Sequence, residues 1–316
     1  MPVRNGEPYV ADAIESILGQ TMGDLCLVVS DNASTDGTPD MVAAAAAADP
    51  RVRSLRNTVD IGANPNYNRL LAHARGPYFK WAAADDVLAP DYLERVLRLL
   101  ERRPDAVLGH SRMRLIDRTG APLRPVTGGY VDVDGFVEAA PEGAPFIDGV
   151  ADPRSDRRLW AVIAHTGYAG HIFGVVRSDA LLATPRLGSL YGADKLLLAR
   201  LALQGRFVTV DADLFHRRCH PGTSTRQTDR AAKAAWSQPD RPAAWYPTAM
   251  LVGYAAAVRD HTTSGAERIR CTFPVVGGAL RPGKWRQLLR PGPWNYLGVG
   301  GNDAGTTASP PRTAAA

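Results

Sequence analysis

Two adjacent carboxylates, Asp85 and Asp86, end an apolar run in "FKWAAADDVLAP" (79–90). Side by side such charges repel unless a cation offsets them, and oxygen ligation suits Mg2+ or Mn2+. One or two protein carboxylates, completed by water and phosphate oxygens, are a common way for Mg2+ to meet a nucleotide. The plainer alternative is a solvated turn, with aspartate favoured near the N-terminus of the next helix. A second acidic turn, "VVSDNASTDGT" (28–38), also follows an apolar run. Asp36, Gly37 and Thr38 serve to turn the chain and start a helix. Asp31 and Asn32 are not needed for that, and a carboxylate directly after a strand can accept the imide N–H of a pyrimidine. "FHRRCHPGTST" (215–225) sets His216 and His220 four apart. On a helix that spacing would suggest zinc, but Pro221 and Gly222 indicate a loop.

The elements that must hold these residues alternate over the first hundred positions. Val10, Ala13, Ile14, Ile17 and Leu18 fall at helical spacing. "LCLVVS" (25–30) reads as a strand buried on both faces. Thr38 and Pro39 open one helix, and Asn64 and Pro65 open another as N-cap and first residue. "RVRSLRN" and "PYFKWAA" read as strands, and "APDYLERVLRLLERR" as a helix. This βαβαβαβα order predicts a mostly parallel sheet covered by helices, with ligands at the carboxyl ends of the strands. Farther on, 106–117 reads as a strand, "RTGAP" as a turn, 122–156 as long loops, "IFGVVR" as a strand, "GADKLLLARLALQGRF" as a helix ending at Gly205, and "FVTV" as a strand. The chain turns helical again from about 228. "MPV" reads as the end of a first strand whose beginning lies upstream of the recorded start.

Composition narrows the class. The 316 residues are 45% hydrophobic and 22% charged, as in a soluble globular protein. The net charge of +5 rests on arginine, with only four lysines. There is no aromatic-interleaved basic stripe of the nucleic-acid-binding kind, so no nucleic-acid partner is expected. Cys26, Cys219 and Cys271 form no CxxC pair, which suits a reducing, cytoplasmic setting. No signal peptide and no run of ~20 apolar residues is present, leaving at most peripheral contact at the inner face of the membrane. Neither GxGxxG nor GxxxxGK[ST] occurs, which argues against a nicotinamide dinucleotide site or a P-loop.

"MPVRNGEPYVADAIESILGQT", "SDNASTDGT", "IGANPNYNRLL", "WAAADDVLAPDYL" and "GADKLLLARLALQGRF" together resemble the family 2 glycosyltransferases, over about residues 1–220. The resemblance implies an α/β GT-A fold: a Rossmann-like, mostly parallel sheet flanked by helices. It implies a catalytic domain over 1–227, with a nucleotide-sugar half to about 118 and an acceptor half from about 119. A helical extension (228–299) and a disordered tail (300–316) complete the chain. Pro2, Val3, Arg4, Asn5 and Glu7 match the family's nucleotide-lining strand and turn, Arg4 standing where Tyr is common. Asp31 matches the base-binding aspartate, with Asn32 beside it. Ala84 and Asp85 match the motif that holds a cation against the diphosphate, Asp86 supporting. The family's frequent ribose-contacting aspartate falls on Ala83. His220 is the further candidate for metal or diphosphate. Asn64 and Asn68 are candidates for the same cleft.

Asp194 matches the second residue of the family's Glu-Asp pair, Ala193 standing for the Glu, and is implied as the general base; as a bare residue it reads as a helix cap. The resemblance thus implies an inverting transferase using Mn2+ or Mg2+. It would move one sugar from a UDP- or dTDP-type donor to a hydroxyl acceptor, such as a glycan, a lipid-linked glycan or a small molecule. Processive members typically carry membrane spans and a Gln-x-x-Arg-Trp motif, neither of which is found here. The alternatives are a non-catalytic protein of the same fold that binds a nucleotide or partner, favoured by Ala83 and Ala193, and a sugar-phosphate nucleotidylyltransferase. Trp160 reads as core, His165 and His171 as acceptor-half residues. Arg281, Lys284, Arg286 and Arg290 read as a solvated basic face or a contact for anionic lipid.

Overall fold

A computed structural model describes residues 1–126, 129–131, 137–138, 147, 149–165, 170–190, 192–223, 236–237 and 246–280. The expected tail at 300–316, the basic residues at 281–290 and the boundary at 227 lie outside these. The chain opens with β1 (Pro2–Val3), α1 (Val10–Leu18), β2 (Leu27–Asp31), α2 (Thr38–Ala48), β3 (Val52–Arg56) and α3 (Ala63–Leu71). Strands β1, β2 and β3 form a wholly parallel sheet in that order. Val29 and Leu27 are buried in it, where α2 and α3 pack on β2, and Val10, Ala13, Ile14 and Ile17 of α1 are buried at helical spacing.

The second sheet is mixed. It contains β4 (Tyr78–Lys80), β5 (Val87–Leu88), β6 (Ala106–Ile116), β10 (Val175–Arg177) and β11 (Arg206–Arg218), in the order β4-β10-β6-β11-β5. Only β6 and β11 run parallel; β10 is antiparallel to β4 and β6, and β5 antiparallel to β11. The expected α/β sheet is therefore present, its parallel character confined to β1–β3 and the central β6–β11 pair. Helix α4 (Tyr92–Glu101) covers this sheet through Tyr92, Val96 and Leu100.

Four local expectations change. Segment 122–156 is not all loop: β7 (Arg124–Val126), β8 (Gly129–Val131) and β9 (Val137–Glu138) make a small antiparallel sheet. "IFGVVR" divides into a 3-10 turn (Gly170–Phe173) and β10, because Gly174 approaches the Gly109 carbonyl too closely for any side chain. "FVTV" is only the start of β11, which continues through His216 to Arg218. Neither Asn64 nor Thr38 is an N-cap: α3 begins at Ala63 after Gly62 and α2 at Thr38 after Gly37, and both side chains bond elsewhere.

Helix α5 (Ser155–Ala164), the short α6 (Ser178–Leu182) and α7 (Ala193–Gln204) build the far layer. Two further helices, α8 (Tyr246–His261) and α9 (Gly265–Ala279), pack on α7 and α5 respectively. Trp160 lies half-buried at the α5–α9 contact, as expected of a packing residue.

Inside the mixed sheet, His110 and His171 are fully buried, their ring centroids 5.9 Å apart, with Phe215 and Phe207 against them. Burial keeps both imidazoles neutral, pulling His171 down to about 3 and His110 well below its ordinary value. The folded pKa values are depressed, so their contribution to stability is complete above the unfolded value of about 6.5 and is lost as pH falls below it. Thermal unfolding measured from pH 7.5 to 4.5 should show Tm falling on the acid side, by up to about 1.4 kcal/mol of stability per pH unit for each histidine. His171→Gln should flatten that limb; an equally steep limb in the variant would remove His171 from this role.

Candidate active site

Parallel pairing of β1 with β2 sets Val3 beside Asp31, so the turns that leave both strands emerge together. They are laced by short bonds. Asn5 N–H donates to Ser34 Oγ (2.8 Å), Thr35 N–H to Asn5 Oδ1 (2.9 Å), Gly6 N–H to Thr38 Oγ1 (2.8 Å) and Gly37 N–H to Glu7 Oε2 (2.9 Å). Asn5 adopts φ 51°, a left-handed conformation that asparagine tolerates better than most residues. Pro2 and Val3 are buried; Arg4, Asn5 and Glu7 are exposed, and Arg4 pairs with Asp60 at 3.1 Å.

Asp31 is buried at the end of β2. Its Oδ1 accepts from the Ser34 amide (3.1 Å) and the Ser34 hydroxyl. Oδ2 lies 3.2 Å from Arg56 Nε as an ion pair, without an aligned hydrogen bond. Asn32 is fully engaged: its amide donates to Asp60 Oδ1 (2.6 Å), and its oxygen accepts from Asn57 Nδ2 (2.9 Å) and Ile61 N–H (3.1 Å). Asn32 thus braces the wall of the turn.

The paired aspartates are placed by β5. Its antiparallel pairing with β11 sets Val87 opposite His216, so Asp85 and Asp86 reach the end of β11 across the ladder. Asp86 is turned inward and buried, accepting from the Arg218 amide at 2.9 Å. Burial and the neighbouring Asp85 raise its pKa well above the carboxylate range. Asp85 is 32% exposed at its side chain, and its Oδ2 lies 3.2 Å from His220 Nε2. His220 Nδ1 accepts from the Gly222 amide (3.2 Å), which leaves Nε2 to carry the proton donated to Asp85. Tyr9 packs on the imidazole, with centroids 4.6 Å apart. Ala83 and Ala84 are half-buried in the same turn. His216 stays within β11, its Nε2 near the Asp213 carbonyl (3.3 Å), and does not join His220.

Among the described residues no group of three His, Cys, Asp or Glu side chains is disposed to ligate a metal. Of Asp85, Asp86 and His220, the first and last face each other and Asp86 lies behind them. The part-exposed Asp85 carboxylate fits a divalent cation that draws its other ligands from phosphate and water, and His220 fits it only in the other tautomer, with Nε2 free of its proton.

Asp194 enters from the opposite layer. Gly192, at φ 85°, is the turn residue before α7, and Asp194 sits in the first helical turn, its Oδ1 accepting from the Lys195 amide (2.9 Å). Burial raises its pKa, partly offset by the Lys195 ammonium. Ala193 is buried beside it, and His165 lies near, its carbonyl 3.5 Å from Lys195 Nζ.

Three residues not singled out in the sequence complete the site. Tyr67 of α3 has its phenol pKa raised by burial and, less, by Asp85, Asp86 and Asp194. Lys80 is half-buried, its ammonium bonded to the Phe173 and Trp81 carbonyls, and desolvation lowers it to about 7 against the pull of Asp86. Arg218 joins Asp85 O (2.9 Å), Asp12 (3.0 Å) and the Asp117 and Arg118 carbonyls. The available signals were Lys80 inside an apolar run and two arginines ending a strand.

Residues 1–132 match the family model described as glycosyl transferase family 2. An uncharacterized glycosyltransferase of Haemophilus influenzae is 29% identical over 112 residues, 35% of this chain and 35% of the relative's own length. Among solved structures, S. aureus TarS 1–349 in complex with UDP-GlcNAc superposes with a TM-score of 0.63 at 13% identity, covering 91% of this chain and 74% of that one. The mannosyltransferase PcManGT from Pyrobaculum calidifontis, in complex with GDP-Man and Mn2+, gives 0.52 at 16% identity, covering 88% of this chain and 71% of that one. At these identities the superpositions establish the GT-A type fold alone.

Asn68 and Asn64 tie α3 to the segment that leads into α7. Asn68 exchanges two bonds with Leu187, donating to its carbonyl (2.8 Å) and accepting from its amide (2.9 Å). Asn64 donates to Gly188 O (2.7 Å) and Leu190 O (3.0 Å). In hydrogen exchange read by mass spectrometry, Asn68→Ala should speed exchange in peptides spanning 184–195 while leaving β2 peptides unchanged. Unchanged protection at 184–195 would show that the segment is held by other means.

Proposed function

We propose, for a chain whose residues 1–132 match glycosyl transferase family 2, that it is an inverting, divalent-metal-dependent transferase. It moves one sugar from a nucleotide-sugar donor of UDP or dTDP type to a hydroxyl acceptor, in a single, non-processive transfer. The observation that carries this reading is the part-exposed Asp85 carboxylate, 3.2 Å from His220 Nε2 where the turn before β5 meets the end of β11. That two structural neighbours were solved with UDP-GlcNAc and with GDP-Man and Mn2+ supports a nucleotide-sugar donor and a divalent ion.

In this reading the turns after β1 and β2 hold the nucleoside, Asp31 at its base and the residues around Arg4 and Asn5 along its edge. Asp85 would hold Mn2+ or Mg2+, joined by His220 in the tautomer that frees Nε2, and the ion would supply positive charge against the departing nucleoside diphosphate. Asp86 keeps Asp85 in place through their shared link to Arg218. Asp194, made more basic by burial, takes the proton of the acceptor hydroxyl as its oxygen attacks the anomeric carbon. The bond to the diphosphate breaks on the far side, so the configuration inverts. One observation favours a second reading, nucleotide binding without turnover: Ala193 is buried where the resemblance implies a glutamate.

Thermal shift with UDP, dTDP, GDP and CDP, each with and without Mn2+, separates the two. One pyrimidine diphosphate should stabilise the protein only with metal, by roughly 2.7 kcal/mol at ~100-fold its Kd. Asp85→Asn should abolish that shift. Asp194→Asn should retain it and lower turnover of the matching donor by ~10²–10⁴-fold. A wild-type protein that binds the diphosphate with metal but turns over no donor would establish the non-catalytic reading.

A further inference from the structure

Helix α9 is apolar on both sides. Cys271, Pro274, Val275 and Gly278 are buried on the side that meets α5, where a Cβ at Gly278 would lie 2.5 Å from Ile163 Cγ2. The outer side presents Ile269, Phe273 and Val276, continued by Leu280 just past the last turn, all between 49% and 73% exposed. Steps of four, three and four place these side chains in one line along the helix. A surface helix normally turns a polar face outward; here exposed Arg268, Arg270 and Thr272 share the outside with this apolar line. An open apolar strip of this kind marks a docking surface.

What covers it is indicated by the adjoining sequence. "RPGKWRQLLRPGPWNYL" (281–297) comes directly after Leu280 and carries Arg281, Lys284, Arg286 and Arg290 with no acidic residue, together with Trp285, Trp294 and Tyr296. Exposed Arg270 borders the strip itself. Cations close to an anionic bilayer are attracted to it, and Trp and Tyr favour the headgroup level. An apolar protein partner would satisfy the strip and leave four cations without a counterpart. Among the described residues no helix is long and apolar enough to cross a membrane, so the contact lies in the plane of the interface. We propose that the outer face of α9 docks on an anionic lipid surface, to which the basic sequence after it adds charge. This does not depend on the catalytic assignment.

The test is sedimentation of the full chain with phosphatidylcholine vesicles that contain either no anionic lipid or about 30% phosphatidylglycerol. The protein should sediment with the anionic vesicles and not with the neutral ones. Ile269→Glu with Phe273→Glu should weaken binding at least about tenfold, both positions being open to solvent. Arg281→Gln with Lys284→Gln should weaken it and reduce its salt dependence. Absence of wild-type binding, or undiminished binding by either pair of substitutions, would overturn the proposal. A concentration-dependent dimer dispersed by the Glu pair would assign the strip to a second copy, and loss of folding by that pair to the chain's own interior; each would also overturn it.

Discussion

A guanidinium enclosed by protein must find its hydrogen-bond partners there, and the Arg218 side chain is almost wholly enclosed. Its bonds to the Asp85, Asp117 and Arg118 carbonyls and to Asp12, together with its seat 4.8 Å from the Tyr9 ring centroid, join four separate parts of the chain. The same residue's amide holds Asp86. The turn that carries the two aspartates is thus fixed by the end of β11, and the partially open Asp85–His220 pair stands on that foundation. Without the buried cation, the two adjacent carboxylates would face each other with less positive charge behind them.

Much of this was readable from residue order. The buried run before Asp31, the helical spacing in α1 and the Gly205 stop of α7 each have a local cause, and the structure keeps them. What was hidden depends on partners distant in sequence. β11 reads as four residues because Asp211 and Asp213 interrupt its apolar pattern; the ladder tolerates them through irregular register between Val210 and Phe215. Asn64 reads as a helix cap because nothing local reveals that a carbonyl more than a hundred positions later needs its amide. Tyr67 carries no motif, and its desolvation depends entirely on how α3 lies against the other elements.

The electrostatic layout is uneven in a way that suits the proposed chemistry. Buried His110 and His171 and half-buried Lys80 are all pushed toward their neutral forms, so the interior beneath the site offers little fixed charge of its own. Charge is concentrated at the turns: Asp31 with Arg56, Asp85 with His220, and Arg218 with Asp12. A charged ligand entering there meets ordered partners on the surface of a largely neutral body, where interactions are less screened than in open water.

The small β7–β8–β9 sheet leaves the main body at the Asp117 turn, whose carboxylate bonds Thr119 and Ala121 and closes the chain on itself before the new strands begin. Among the described residues its strands pair only with one another. The turns that carry Asp31, Asp85, His220 and Asp194 are set by other ladders. A change in the length of that appendage would therefore leave the ladders that position these turns intact.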